Sequence, residues 1–329
     1  MSELRWNPIL KEWVITATHR QNRTFKPPKD FCPLCPTREG GFPTEVPAED
    51  YDIVVFQNRF PSLQPDAPEP DIEGSELYPV DLAQGICEVV LFTSEHEGVM
   101  SQQPLSKFEK LVKVWKDRYQ ELGKKDFIDY VYIFENKGEE VGVTLHHPHG
   151  QIYAYPFIPP IIERELNSSK EHLEKEGECL FCRVLREEKE DGRRIIASNK
   201  SFTAVIPFFA RYTYEVHIYA NKHLPSMAEF GPEEEKDLAR ILKLLIMKYD
   251  NLFEFVFPYI MCIHQQPTDG SGFDYSHFHI EFYPPYRTKD KLKYLAGSEA
   301  GAGTFINGSL AENKAAVLRE TSPVSFEDM

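Results

Sequence analysis

The chain has 329 residues, enough for about two ordinary domains, and its 41% hydrophobic and 27% charged residues are those of a globular protein. No run of about 18 uncharged apolar residues occurs, which excludes a membrane-spanning helix, and the first residues lack the basic and apolar segments of a secretion signal, which predicts a cytoplasmic protein. A net charge of −15 excludes a broad nucleic-acid or acidic-membrane surface, so an anionic ligand needs a few local cations to hold it.

In chain order, the first chemical signal is Cys32-Pro-Leu-Cys35. A disulfide does not suit a cytosolic chain, and a thioredoxin-like redox pair needs a βαβ setting that the surrounding sequence lacks. Zinc remains, because two thiolates three positions apart can take adjacent corners of a tetrahedron, with two further ligands to come from downstream. A strand-like run, Glu88-Val-Val-Leu-Phe-Thr-Ser-Glu-His96, ends in histidine. Nine residues later Leu105, Phe108, Leu111, Val112, Trp115, Tyr119 and Leu122 recur at helical spacing, which predicts a helix buried on one face. An aromatic strand follows at Tyr130–Phe134, and then Leu-His146-His147-Pro-His149-Gly-Gln151. Residues 161–178 read as a charged connecting helix that carries His172 on its polar surface.

The order then repeats. Cys179-Leu-Phe-Cys182 is a second C-x-x-C, and Glu215-Val-His-Ile-Tyr-Ala-Asn-Lys-His223 aligns without gaps on Glu88–His96. A second amphipathic helix carries Leu238, Ile241, Leu242, Leu245 and Tyr249, a second aromatic strand spans Phe255–Met261, and His277-Phe-His279-Ile-Glu281 closes the unit. His96 and His147 are 51 positions apart, His223 and His277 54. The expected fold class is therefore α+β, with two tandem modules, each an antiparallel sheet with a packed helix. The expected boundaries are 1–165 for a catalytic N-terminal module and 166–329 for a degenerate C-terminal repeat. The tail from Glu299 is rich in Gly and Ala, and disorder is the expectation for its last few residues.

Residues two apart on a strand share a face, so His147, His149 and Gln151 point one way, as do His277, His279 and Glu281. Two sites of two Cys and two His follow: Cys32, Cys35, His96 and His147, then Cys179, Cys182, His223 and His277. With four protein ligands each is closed, and hence structural. His149 is left over. A neutral imidazole is a competent nucleophile near pH 7 and forms a phosphoramidate that transfers its phosphoryl group onward. Pro148 restricts the backbone, Gly150 leaves room, and the Gln151 amide can donate to a phosphate oxygen without adding negative charge. In the second half Glu281 replaces the amide, and a carboxylate repels a bound phosphate, so catalysis is expected in the first half alone.

His147-Pro-His149-Gly-Gln151, with Phe134-Glu-Asn-Lys-Gly138 upstream, resembles the galactose-1-phosphate uridylyltransferase family of the histidine-triad superfamily. The likeness runs nearly end to end: Trp13-Val-Ile-Thr, His19-Arg20-Gln-Asn-Arg23, Phe56-Gln-Asn58-Arg-Phe60-Pro, the first C-x-x-C, Phe282-Tyr-Pro-Pro285 and Lys293-Tyr-Leu-Ala-Gly-Ser-Glu299. It implies a ping-pong reaction in which UDP-glucose loads UMP onto His149 and releases glucose 1-phosphate, and galactose 1-phosphate then takes the UMP as UDP-galactose. It also implies a homodimer. Position by position, the family puts zinc on Cys32, Cys35, His96 and His147, and Arg20 and Asn58 near the nucleotide. It makes Asn136, Gly142 and Thr144 nucleotide and phosphate contacts and Gln151 the phosphate-binding amide, with Lys293 and Glu299 near the hexose phosphate. A second metal of the family, often iron, maps onto Glu165, His264, His279 and Glu281, with an acid where the family has a fourth histidine. It competes with Cys179, Cys182, His223 and His277 for the second metal, and thiolates favour zinc at the latter. Ser298 and Phe305 stand where the family has Tyr and Gln at the sugar. The runners-up are an adenylyltransferase or phosphorylase acting on ADP-sugars or dinucleoside polyphosphates, and a zinc-ribbon adaptor. The latter lacks a basic, aromatic-interleaved stripe.

Overall fold

The computed structural model describes residues 2–22, 31–270 and 272–321. Arg23 of the N-terminal string and the final residues 322–329 lie outside the described residues. In chain order the strands are β1 (Ser2–Asn7), β2 (Glu12–Ala17), β3 (Val54–Gln57), β4 (Val80–Leu82), β5 (Ile86–Leu91), β6 (Tyr130–Lys137), β7 (His149–Tyr155), β8 (Ile195–Ser198), β9 (Phe202–Val205), β10 (Val216–Ala220), β11 (Tyr259–His264), β12 (His279–Tyr283), β13 (Tyr286–Thr288) and β14 (Lys291–Leu292). The helices are α1 (Leu105–Leu122), α2 (Pro160–Glu176), α3 (Leu180–Asp191), α4 (Pro232–Leu252) and α5 (Ala311–Glu320).

Among the described residues, nine strands form one antiparallel sheet in the order β3-β5-β7-β6-β11-β12-β10-β9-β8. The internal repeat is visible in that order. β5, β7 and β6 run outward to inward in the first half as β10, β12 and β11 do in the second, and the halves meet where β6 pairs with β11 (Ile133 beside Ile263, Phe134 beside Cys262). The α+β class with two tandem antiparallel modules is thus the observed one, and the modules share a single sheet. A smaller sheet, β2-β1-β4, packs Leu4 against Leu63, Ala83 and Cys87.

The alternation expected of half-covered strands is clearest in β7, where Gly150, Ile152 and Ala154 are buried and His149, Gln151, Tyr153 and Tyr155 are half-buried on the other face. The buried face receives α1 and α4, which pack on each other and bury the leucine, aromatic and isoleucine positions that the helical spacing picked out. Each helix begins nine residues after the histidine that ends the preceding run, as the duplication requires. The connecting helix is α2. Two elements carry no comparable sequence signal. α3 starts inside the second C-x-x-C, with Cys179 at its N-cap, and the Gly- and Ala-rich tail forms a short π-helical turn and then α5, which buries Ala311, Ala315 and Leu318 against the core.

On the helix side of β6, Glu135 is buried and accepts a hydrogen bond from Tyr259 Oη at 3.2 Å. Burial pushes its carboxyl up to about 7, with nearby Lys137 only partly offsetting this. A carboxyl raised in the folded state contributes stability that is full below the ordinary carboxylate pKa and lost as pH rises through 7. Glu135→Gln is therefore expected to raise the melting temperature more at pH 8 than at pH 5. The gain in unfolding free energy should be larger at pH 8 than at pH 5 by up to about 3 kcal/mol, at roughly 1.4 kcal/mol per pKa unit; equal gains at the two pH values would contradict a buried, protonated Glu135.

Candidate active site and metal centres

The segment from Gly142 to Pro148 crosses one end of the sheet before β7 begins. Gly142 takes φ +85, the left-handed region that glycine adopts without strain, and closes the turn over Glu139–Val141. Beyond it His147 is fully buried, and burial pushes its imidazole down to about 4, so it is neutral at physiological pH. Its Nε2 donates to the Thr93 carbonyl at 2.7 Å and lies 2.7 Å from Tyr51 Oη, which donates to Leu34 O at 2.9 Å. Nδ1 is therefore the nitrogen with the lone pair, and it faces Cys35 Sγ at 3.6 Å and Cys32 Sγ at 3.8 Å. His96 Nδ1 is 3.6 Å from Cys35 Sγ. A tetrahedral zinc with bonds of about 2.3 Å to sulfur and about 2.0 Å to nitrogen has S···N edges of about 3.6 Å. The four donors fit that ion, and the carbonyl on Nε2 is the outer-shell partner that zinc-bound histidines use.

The second module repeats the arrangement. His277 Nε2 donates to the Ala220 carbonyl at 3.0 Å, and its Nδ1 is 3.6 Å from Cys179 Sγ and 3.7 Å from Cys182 Sγ. His223 Nδ1 is 3.8 Å from Cys182 Sγ. A third group, Glu165, His264, His279 and Glu281, also brings its donor atoms within 4.8 Å of one another. The two C-terminal groups, which the sequence sets in competition, share no residue and are assembled together. His277 belongs to one and His279 to the other, with the Phe181 ring 5.8 and 4.5 Å from their ring centres.

His149 stands apart from all three. Its Nδ1 donates to the His147 carbonyl at 2.8 Å, so the ring is held in the tautomer whose lone pair is on Nε2. The ring lies between two cavities. One, of about 330 Å³, is lined by His149, Gln151, Asn58 and Thr144, with an apolar wall that includes Phe31, Leu34 and Phe60. The other, of about 350 Å³, is lined by His149, Asn136, Lys137, Glu140 and His146 among others. Asn58, Asn136, Thr144, His149 and Gln151 are thus brought together. Arg20 sits behind the wall, where Nη1 donates to Phe60 O at 3.3 Å, Ser62 Oγ at 2.6 Å and Tyr153 Oη at 3.4 Å. Lys293 and Glu299 pair with each other at 2.8 Å and line neither cavity. Phe305 packs under the Lys293 and Arg211 cations.

Three features carry no sequence signal of their own: Tyr51, whose hydroxyl reaches the zinc-site histidine; the Phe31–Leu34 wall, which the first C-x-x-C presents; and the Arg59–Glu45 pair at 3.0 Å beside Asn58. Glycine at 150 has a packing reason as well. A Cβ there would lie 2.8 Å from the Phe92 ring and 3.1 Å from the Phe134 carbonyl. Gly150→Ala is expected to cost about 1–3 kcal/mol in thermal unfolding and to lower turnover through displacement of β7; a variant as stable and as active as the parent would show that the strand yields freely.

His279 mirrors His149, with Nδ1 donating to the His277 carbonyl at 2.9 Å. Its neighbour Glu281 is buried. Burial alone would raise its carboxyl, but His217, His264, His279 and Arg211 hold it well below the usual carboxylate range. His217 lies on the same side of the site. It is buried, with Nε2 2.9 Å from Glu215 Oε1 and Nδ1 2.8 Å from Tyr219 Oη.

Comparison with known proteins gives the family. The model of the galactose-1-phosphate uridyl transferase N-terminal domain matches residues 1–159, and that of the C-terminal domain matches residues 165–328. The chain belongs to the galactose-1-phosphate uridylyltransferase family. It is 44% identical to the galactose-1-phosphate uridylyltransferase of Thermotoga maritima, over 98% of this chain and 99% of that one. It is 32% identical to the enzyme of that name from Haemophilus influenzae, over 98% and 95%. A solved uridylyltransferase structure superposes with a TM-score of 0.87 at 33% identity, covering 97% of this chain and 98% of the other. The chain is accordingly an enzyme of this family. No helix among the described residues is long and apolar enough to cross a membrane.

Proposed function

We propose that this family member moves UMP from UDP-glucose to galactose 1-phosphate through a uridylyl group carried on His149. Nε2 attacks the α-phosphorus, the bond from that phosphorus to the oxygen of the β-phosphate breaks, and glucose 1-phosphate leaves with the electron pair. A phosphate oxygen of galactose 1-phosphate then attacks the same phosphorus, the N–P bond breaks, and UDP-galactose departs. The observation that supports this reading is the hydrogen bond from His149 Nδ1 to the His147 carbonyl. It keeps the proton on Nδ1 and stabilises the positive charge that the ring acquires when Nε2 bonds to phosphorus.

Gln151 is read as the amide that donates to the phosphate, and Asn58, Asn136 and Thr144 as contacts to the nucleotide and its phosphates. Gly142, which turns their loop but lines neither cavity, is read with them as a phosphate-contact position, and Arg20 as a residue near the nucleotide, behind the apolar wall. Lys293 and Glu299 are assigned to the sugar-phosphate side, on the C-terminal module 166–329, while 1–165 carries the catalytic strand. We assign zinc to Cys32, Cys35, His96 and His147 and to Cys179, Cys182, His223 and His277, and a divalent ion, zinc or iron, to Glu165, His264, His279 and Glu281. Bound zinc would cross-link each Cys-containing segment to the sheet. A homodimer is supported by apolar side chains such as Phe208 and Phe209 left 74% and 58% exposed, and a cytoplasmic setting by C-x-x-C pairs that are grouped with histidines as metal donors. The deciding experiment is incubation of the protein with UDP-glucose or ADP-glucose labelled in the α-phosphate, followed by denaturation. Label retained from UDP-glucose alone, and released by galactose 1-phosphate, is the expected result. Label retained from ADP-glucose instead would overturn the uridylyl reading.

A further inference from the structure

The metal groups differ in what surrounds them. Each thiolate group has four protein donors at tetrahedral edge distances and a carbonyl behind its buried histidine. The Glu165, His264, His279, Glu281 group has something more. Beside it lies a cavity of about 10 Å³, room for one water-sized occupant, lined by Glu165, Ser169, His264, Gln265 and His279 among others. Glu281 is a member of the donor group but does not line the cavity, so the cavity opens on the side of the group away from that carboxylate.

Among the described residues, Ser169 Oγ, Gln265 Nε2 and His279 Nε2 are buried without a hydrogen-bond partner, and all three residues line this cavity. Ser169, Gln265 and His279 are 1%, 2% and 2% exposed, so leaving these atoms unpaired costs about 1–3 kcal/mol each. The local structure explains why they converge. Ser169 follows Glu165 by one turn of α2 and so shares its face. Gln265 follows His264 directly, and its Oε1 accepts from Met227 N at 3.2 Å, which turns the amide NH2 the other way.

We propose that the ion read at this group carries one further ligand, a water molecule, seated in the cavity between Ser169 Oγ and Gln265 Nε2. This rests on the metal reading above. The water oxygen bonds the ion, accepts from the Gln265 amide and donates to Ser169 Oγ, and so satisfies two of the orphaned atoms while His279 Nε2 faces the ion. The site is then hydrated where the thiolate sites are closed, and suits a harder ion that accepts more than four ligands.

The test uses the whole protein with zinc in its thiolate sites and Mn(II) added, in D2O, read by deuterium ENDOR on the bound Mn(II). An inner-sphere deuteron coupling is expected, lost in Ser169→Ala together with a roughly tenfold weaker Mn(II) affinity, and lost in Gln265→Glu. Gln265→Glu keeps an oxygen on Met227 N but turns the amide donor into a charged acceptor, so in that variant the coupling, not the affinity, reports on the lost donor, while Ser169→Ala tests the anchor without a change of charge. Bound Mn(II) with no inner-sphere coupling would overturn the proposal and leave the metal reading standing. A coupling that persists in both variants would overturn the assignment of these two residues as its anchors. No Mn(II), iron or third zinc ion bound would overturn the metal reading, and the proposal with it.

Discussion

His149→Ala should leave the protein folded and unable to retain label from UDP-glucose, with turnover reduced by at least about 10⁴-fold, the scale on which loss of a covalent nucleophile is felt. The reason lies in what the ring touches. His149 is half-buried at the edge of β7 and bonds the backbone through Nδ1, so its removal takes nothing from the core between the sheet and α1. Melting temperature and zinc content are expected to stay near those of the parent, which separates this variant from one that unfolds. His149→Gly offers a sharper version. The cavity it leaves has the shape of an imidazole, so a preformed uridylyl-imidazole should restore transfer to galactose 1-phosphate without restoring the first half-reaction. If His149→Ala turned over at a comparable rate, or if the label in the parent were found on another side chain, the nucleophile would have to be sought elsewhere.

Much of this site is written in short-range sequence. A strand period of two puts His149 and Gln151 on one face, a C-x-x-C puts two thiolates within reach of one ion, and the second copy of the same string checks the first; His147, expected on the face of His149, lies before β7 and turns to the cysteines instead. The helices α1 and α4 were equally legible, because a helix that covers a sheet must repeat its apolar residues every three or four positions. What the sequence conceals depends on the meeting of distant segments. The joining of the modules into one sheet is set by the pairing of β6 with β11, two apolar strands whose pattern names no partner. The same holds for Tyr51. It is 96 positions from His147, and nothing local distinguishes its hydroxyl from that of any other tyrosine until the fold brings them to 2.7 Å. The coexistence of the two C-terminal donor groups is also a matter of three dimensions. His277 and His279 share a face in an ideal strand, yet β12 begins only at His279, and the irregular backbone before it turns His277 toward the cysteines.

The first zinc site is expected to control substrate binding as well as stability, and the two effects can be separated. Cys32 and Cys35 bracket Pro33 and Leu34, which with Phe31 form one wall of the 330 Å³ cavity beside His149. The same ion would hold His147, whose carbonyl orients the nucleophile. Cys32→Ser should therefore lose one zinc per chain, lower the melting temperature by about 5–10 °C and raise KM for UDP-glucose roughly tenfold, with a smaller fall in kcat. Cys179→Ser supplies the comparison. Its site joins α3 to the other end of the sheet and lines neither cavity, so it should lose one zinc and a similar amount of stability while KM stays within about twofold of the parent. Were both variants to raise KM alike, the effect would be one of global loosening. Were Cys32→Ser to keep its zinc and its melting temperature, the four donors would have to be explained by something other than a metal.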